Sequence, residues 1–254
     1  MVFEVATHLA LLLILAAFLA GFVDSIAGGG GLISVPALLL AGASPIEALA
    51  TNKLQGTFGA ATATATYARA GHVRLRDQVG MAVISAIGGA AGALVAHLMP
   101  VGFLRIVMPV ILVAVALFFA FKPGLSDDDR VERIRPGIFA VTAVPLIAAY
   151  DGFFGPGTGS FFMLAFVMLA GFGVLKATAH TKLLNFASNI GSLAVFIPSG
   201  AMWWAVGLAM AAAQVAGASL GARLAMRVGA RLIKPLLVVT STGMAGRLLW
   251  QVLA

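Results

Sequence analysis

Two lysines stand inside long apolar stretches of this 254-residue chain, each among side chains able to hydrogen-bond. Lys53 lies in Thr51-Asn52-Lys53-Leu54-Gln55, and Lys182 in His180-Thr181-Lys182-Leu183-Leu184-Asn185, with Asn189 one helical turn further on. Residues three or four apart share a helix face. Thr51 with Gln55, Thr181 with Asn185, and Lys182 with Asn185 and Asn189 would therefore form polar stripes. Lys53 follows Pro45 by eight residues, about 12 Å of helix, a depth near the middle of a bilayer. A lysine there costs about 2.5–3.5 kcal/mol. Two such cations ringed by hydroxyl and amide groups suit the binding of a small anion. The plainer reading is snorkelling, or a structural pairing with Asp24 and Asp151.

Those two aspartates introduce the other unusual stretches. Asp24 leads into Gly28-Gly29-Gly30-Gly31, and Asp151 into Gly155-Pro156-Gly157-Thr158-Gly159. Neither run favours regular helix. A broken helix exposes N–H groups and the positive end of its dipole, which attract anions. Backbone from Gly28 to Gly31 and from Gly155 to Gly159, above all Gly29, Gly30, Gly31, Gly157, Thr158 and Gly159, is expected to finish the anion cradle. Asp24 and Asp151 are read either as caps and counter-charges or as coupling groups that relay protons. His180 is either a gating or proton group or a hydrogen-bond donor between helices. Gln214 and Ser85, polar in mid-helix, would touch ligand or bridge helices. Gly88, Gly92, Gly217 and Gly221 read as helix-packing positions.

The elements carrying these groups must be membrane helices. The chain is 61% hydrophobic and 10% charged, with mean hydropathy +1.05, against about 25% charged residues in a soluble domain. Continuous apolar runs rather than short alternating ones exclude a membrane β-barrel. Five segments are expected in the first half, at 5–25, 32–42, 46–69, 78–98 and 101–121, and five in the second, at 136–152, 160–170, 174–197, 202–222 and 235–252. The polar stretch from Lys122 to Arg135 separates them. The expected organisation is thus a first transmembrane repeat over 1–121, a linker over 122–135 and a second repeat over 136–254.

The halves match residue by residue. Asp151 follows Asp24 by 127 positions, and an offset of 129 carries Lys53 to Lys182, Gly88 to Gly217, Gly92 to Gly221 and Arg105 to Lys234. Loop charge then gives their relative orientation. The loop with Arg69, Arg74 and Arg76 is basic, whereas its counterpart at Ser199 to Trp204 is uncharged and holds two tryptophans. The following loop reverses the pattern, with Arg223, Arg227, Arg231 and Lys234 in the second half. Basic short loops face the cytoplasm, so corresponding loops lie on opposite sides. The expected fold class is an all-α polytopic membrane protein of two inverted-topology repeats, with short broken or re-entrant elements at the glycine motifs. The linker would be cytoplasmic and both termini periplasmic. Leu9 to Leu19 resembles a signal-peptide core, but the leader before it has Glu4 and no basic residue; a retained first helix is expected.

Other chemistries find no support in the sequence. With no cysteine, disulfides and thiolate sites are excluded. There is no GxSxG elbow, no HExxH and no complete phosphate-binding loop, so neither an enzyme nor a resident metal or cofactor is expected. Aromatic residues without basic interleaving exclude a nucleic-acid partner.

The run Gly21-Phe22-Val23-Asp24-Ser25-Ile26-Ala27 into the four glycines, with Pro36 and Thr51-Asn52-Lys53-Leu54-Gln55, resembles the first half of the TauE/SafE sulfite exporter family. Asp151-Gly152-Phe153-Phe154-Gly155-Pro156-Gly157-Thr158-Gly159 with Thr181-Lys182-Leu183-Leu184-Asn185 resembles its second repeat. The resemblance spans nearly the whole chain. It implies a secondary transporter, an exporter by the family's name, that moves sulfite, a sulfonate or a related sulfur oxyanion across the bacterial inner membrane. His180 departs from the small residue expected there, which bears on selectivity or pH response. A passive anion channel and a non-transporting structural or assembly subunit are the alternatives. Proton coupling and a homo-oligomer are both compatible with the sequence.

Overall fold

The computed structural model describes residues 3–120, 129 and 131–229. The last expected segment, 235–252, lies outside these residues, as do Arg231, Lys234 and most of the linker. The described chain is helical, with no strand among the described residues: α1 (Thr7–Ala27), α2 (Gly31–Leu40), α3 (Pro45–Arg69), α4 (Val79–Leu98), α5 (Val101–Ala120), α6 (Pro136–Val141), α7 (Ala143–Phe153), α8 (Thr158–Met168), α9 (Val174–Phe196) and α10 (Trp204–Val228). Helix α1, the stretches Leu75–Leu98 and Pro136–Phe153, and α10 are long and apolar enough to cross a membrane.

Local sequence explains the boundaries. Helix α1 stops where Gly28 turns left-handed, at φ 82°, and returns its N–H to the Asp24 carbonyl. Helix α3 opens on a capping box: Ser44 N–H donates to Glu47 at 2.7 Å, Glu47 N–H donates to the Ser44 hydroxyl, and Pro45 takes the first turn. That pairing satisfies two otherwise orphaned donors. Helices α2 and α8, of 10 and 11 residues, are about 15 Å long, half the hydrocarbon thickness. They are the short elements expected after the glycine runs.

Polarity is inverted relative to a soluble fold. Leu98, Ile106 and Leu146 on the outside are 70–72% exposed, whereas Lys53, Lys182, Asn185 and Asp151 are buried. Only a bilayer makes that arrangement favourable, since lipid accepts the apolar exterior and the polar groups must satisfy one another inside.

The halves interlock by exchange: α1 packs on α10, and α7 packs on α4. Glycines set the closeness. Gly88 lies against the backbone of Pro145 and Gly92 against that of Ala149; Gly217 lies against Phe18 and Gly221 against Phe22. The second pair of contacts is the first with the halves exchanged, at the sequence offsets noted above. All four glycines therefore do what their packing reading expects.

Candidate functional site

The glycine loops that end α1 and α7 meet in the middle of the molecule. A side chain at Gly28 would collide with the backbone of Gly159, and one at Gly31 would come 3.0 Å from Pro156. Ser160 ties them together, its hydroxyl donating to the Ala27 carbonyl at 2.6 Å and its N–H to that of Gly28 at 3.2 Å. Positive φ at Gly28, Gly155 and Gly157 (82°, 94° and 85°) makes this crossing possible, a geometry glycine adopts without strain.

Around the crossing each lysine reaches into the other half. Lys53 of α3 lies 2.7 Å from Asp151 of α7, with side chains 1% and 3% exposed. Lys182 of α9 lies 3.4 Å from the Asp24 carboxylate of α1 and donates to the Asp24 backbone carbonyl. Such pairs persist in an apolar interior only when each charge has its partner. Ser188 donates to the second oxygen of Asp151 at 2.5 Å, and Gly30 N–H to Asp24 at 3.3 Å. The structural pairing that the sequence left open is thus present, with its partners exchanged between halves.

Between the pairs lies a cavity of about 30 Å³, room for about two waters. Asp24, Asp151, Asn52, Asn185, Asn189 and Gln214 line it, together with Gly30, Gly31 and Gly159. The residues expected from the sequence divide here. Lys53 and Lys182 are paired with aspartates of the lining and are not part of it themselves. Thr51 accepts the Trp203 N–H at 3.0 Å, Gln55 donates to Asn52 at 3.4 Å, and the buried Thr181 hydroxyl finds no hydrogen-bond partner among the described residues. Gly29, Gly157 and Thr158 are not in the lining, and the Thr158 hydroxyl donates to the Gly155 carbonyl. The N–H cradle is partly committed, because Gly30, Thr158 and Ser160 already donate within the protein. His180 is not brought to the cavity; its ring lies against Phe166 and Phe172, at 5.7 and 4.9 Å between centroids.

Some contributors escaped the sequence reading. Gly56 lines the cavity; its spacing of four from Asn52 puts both on one face and could have signalled it. Ser34 donates to Asn52 at 2.6 Å, and Ser192 donates to the Ser188 and Gly89 carbonyls; small hydroxyls in apolar helices carry no such signal. Gln214 sits against Gly59 of α3 and Gly21 of α1, as the helix-bridging reading expects, and also lines the cavity.

A family model described as sulfite exporter TauE/SafE matches residues 13–248. The chain belongs to the TauE/SafE family. It is 56% identical over 246 residues to a probable membrane transporter protein, ORF9, of Sinorhizobium sp, covering 97% of this chain and 94% of that protein. It is 45% identical to the probable membrane transporter protein YfcA of Escherichia coli, covering 98% and 93%. A probable membrane transporter protein of Haemophilus influenzae is 41% identical, covering 98% and 97%. No solved structure matches the chain. Like these TauE/SafE relatives, the protein is a multi-pass membrane transporter, and the central cavity between its exchanged ion pairs is the candidate transport site.

Proposed function

We propose that the protein is a secondary transporter that exports a small sulfur-containing anion, such as sulfite or an organosulfonate, across the bacterial inner membrane by alternating access. The observation that carries the reading is the pair of buried lysines, each held by the opposite half, flanking a polar cavity where the two glycine loops cross. Lys53 and Lys182 supply the positive field; Asn52, Asn185 and Asn189 supply hydrogen bonds in the cavity. Thr51 ties α3 to the start of α10, Gln55 orients Asn52, and the Thr181 hydroxyl is left to hydrogen-bond the anion. Coupling to a proton falls to the aspartates that line the cavity, Asp24 or Asp151. A three-oxygen anion is larger than the roughly two waters the cavity has room for, so its binding moves the lining. In this reading two inverted repeats rock about the central pairs, with the linker in the cytoplasm and both termini in the periplasm.

The test is sulfite flux into liposomes containing purified protein. Saturable flux is expected, abolished in Lys53→Ala/Lys182→Ala. Undiminished sulfite flux in that double variant overturns the anion site, and flux that never saturates replaces the carrier with a channel.

A further inference from the structure

Asp24 and Asp151 occupy matching positions, yet their surroundings differ. Asp151 is 3% exposed; Lys53 holds one oxygen at 2.7 Å and the Ser188 hydroxyl holds the other at 2.5 Å. Asp24 is 18% exposed, and the nearest ammonium is 3.4 Å from its Oδ2, its stronger contact being with the Asp24 backbone carbonyl. Its Oδ1 receives the Gly30 N–H at 3.3 Å. Position 59, which corresponds to Ser188 at the offset of 129, is glycine, so Asp24 lacks the hydroxyl that seals Asp151. One carboxylate is clamped and the other is loosely held beside the cavity.

Charge supplies a second constraint. Two ammonium groups and two carboxylates sum to zero in the buried centre, so a monoanion entering alone would leave one uncompensated negative charge where it cannot be solvated. The arrangement of the lining supplies a third. Both aspartates line the cavity and neither lysine does, each ammonium being drawn to a carboxylate, so an arriving anion meets negative charge first.

Resting on the anion-transporter reading, we infer that Asp24 takes up one proton for each monoanion carried, and does so before the anion binds, making transport electroneutral and one to one. The carboxylate becomes a carboxylic acid and Lys182 keeps its own protons. Its ammonium is released from Oδ2 and faces the anion. When the anion leaves on the other side, Asp24 gives up its proton there and closes on Lys182 again, so export carries a proton out with each anion and runs on the anion's own outward concentration gradient. The Lys53–Asp151 pair stays shut throughout and serves as the pivot. The charged and titratable groups facing Asp24 are Lys182 from α9, Lys53 and Tyr67 from α3 and Asp151 across the cavity from α7; α10 contributes Gln214, which does not titrate.

The experiment uses the full protein in liposomes at mildly acidic pH, where sulfite is the hydrogen sulfite monoanion. A pH gradient and a potassium diffusion potential are imposed separately, and uptake is measured above that of protein-free liposomes. The expected result is sulfite accumulation of about tenfold per unit of pH gradient, with no response to potential. Asp24→Asn should move sulfite more slowly and without response to the gradient, whereas Asp24→Glu and Ser188→Ala should retain the response. Should Asp24→Asn not fold, a gradient response in Asp24→Glu whose pH dependence is displaced from wild type supports the same assignment, and an undisplaced one overturns it. Wild-type sulfite flux that follows potential, or that ignores both gradients, overturns the role of Asp24 and leaves the transporter reading standing. A gradient response intact in Asp24→Asn does the same. A wild-type protein that moves no sulfite overturns both.

Discussion

Lys53 and Asp151, 98 residues apart and on opposite sides of the linker, meet at 2.7 Å with neither side chain more than 3% exposed. Their contact joins the two halves at the level of the glycine crossing, and Lys182 returns it through Asp24. Removing one member leaves an unpaired charge in an apolar interior, which costs about 3–5 kcal/mol, whereas replacing both by apolar residues of similar volume is often close to neutral. Lys53→Met is therefore expected to lower the melting temperature in detergent sharply, and Lys53→Met/Asp151→Leu to regain most of the loss. A double variant as unstable as the sum of the singles would show that the pair does not depend on mutual neutralisation.

Helix crossings test the same interlock by volume. Gly92 and Gly221 have backbone of the opposite half where a Cβ would stand, while Gly102 has nothing within 4 Å among the described residues. Overpacking costs about 1–3 kcal/mol and more where backbone must move. Gly92→Val and Gly221→Val should each lower the melting temperature, by similar amounts because the two contacts correspond, and Gly102→Ala should not.

Element positions were largely legible because each boundary is written in local chemistry. Helix α3, expected over 46–69, runs Pro45–Arg69 between a Ser-Pro cap and a basic loop. Helix α10 runs on to Val228 past its expected end at 222, since Arg223 and Arg227 close the apolar run without breaking the helix. The types of residue at the site were legible too, because charge inside apolar sequence is rare. Their partners were not. The offset matches Lys53 to Lys182 and Asp24 to Asp151, but only the interlocking of α1 with α10 and α4 with α7 decides that each lysine crosses to the other half. That same crossing brings both aspartates and neither lysine to the cavity lining, and it turns His180 away toward Phe166 and Phe172.

Two tethers fix positions from which the proposed sidedness can be tested. Glu4 accepts N–H groups of Ala205 and Val206 at 2.8 and 3.1 Å, fixing the N-terminal segment to the start of α10. Arg133 and Ile134 donate to the Leu169 carbonyl, fixing the linker to the loop between α8 and α9. The chain has no cysteine, so single cysteines are unique labelling sites. Ala6→Cys and Pro198→Cys should react with an impermeant maleimide from the periplasmic side, and Val131→Cys only after the membrane is opened. Labelling of Ala6→Cys and Val131→Cys from the same side would refute the proposed topology.

The linker tether also titrates. Asp129 accepts from Lys176 at 2.8 Å and from Gly173 N–H at 2.6 Å. The hydrogen bond from Lys176, then that from Gly173, outweighs a small opposing effect of burial and holds its carboxyl below the usual 3.8. A carboxylate whose value is lowered by folding stabilises the folded state above its unfolded value and loses that contribution as pH falls through the folded one. With side chains 44% and 56% exposed, the Lys176 pair contributes less than about 1 kcal/mol, enough to bias a local docking without threatening the fold. A spin label at Val131→Cys, a position 87% exposed, should thus report restricted motion at that residue at neutral pH and freer motion as pH drops below the normal carboxylate range. Asp129→Asn should give the looser spectrum already at neutral pH. Equal mobility in both proteins at every pH would show that Asp129 does not hold the linker.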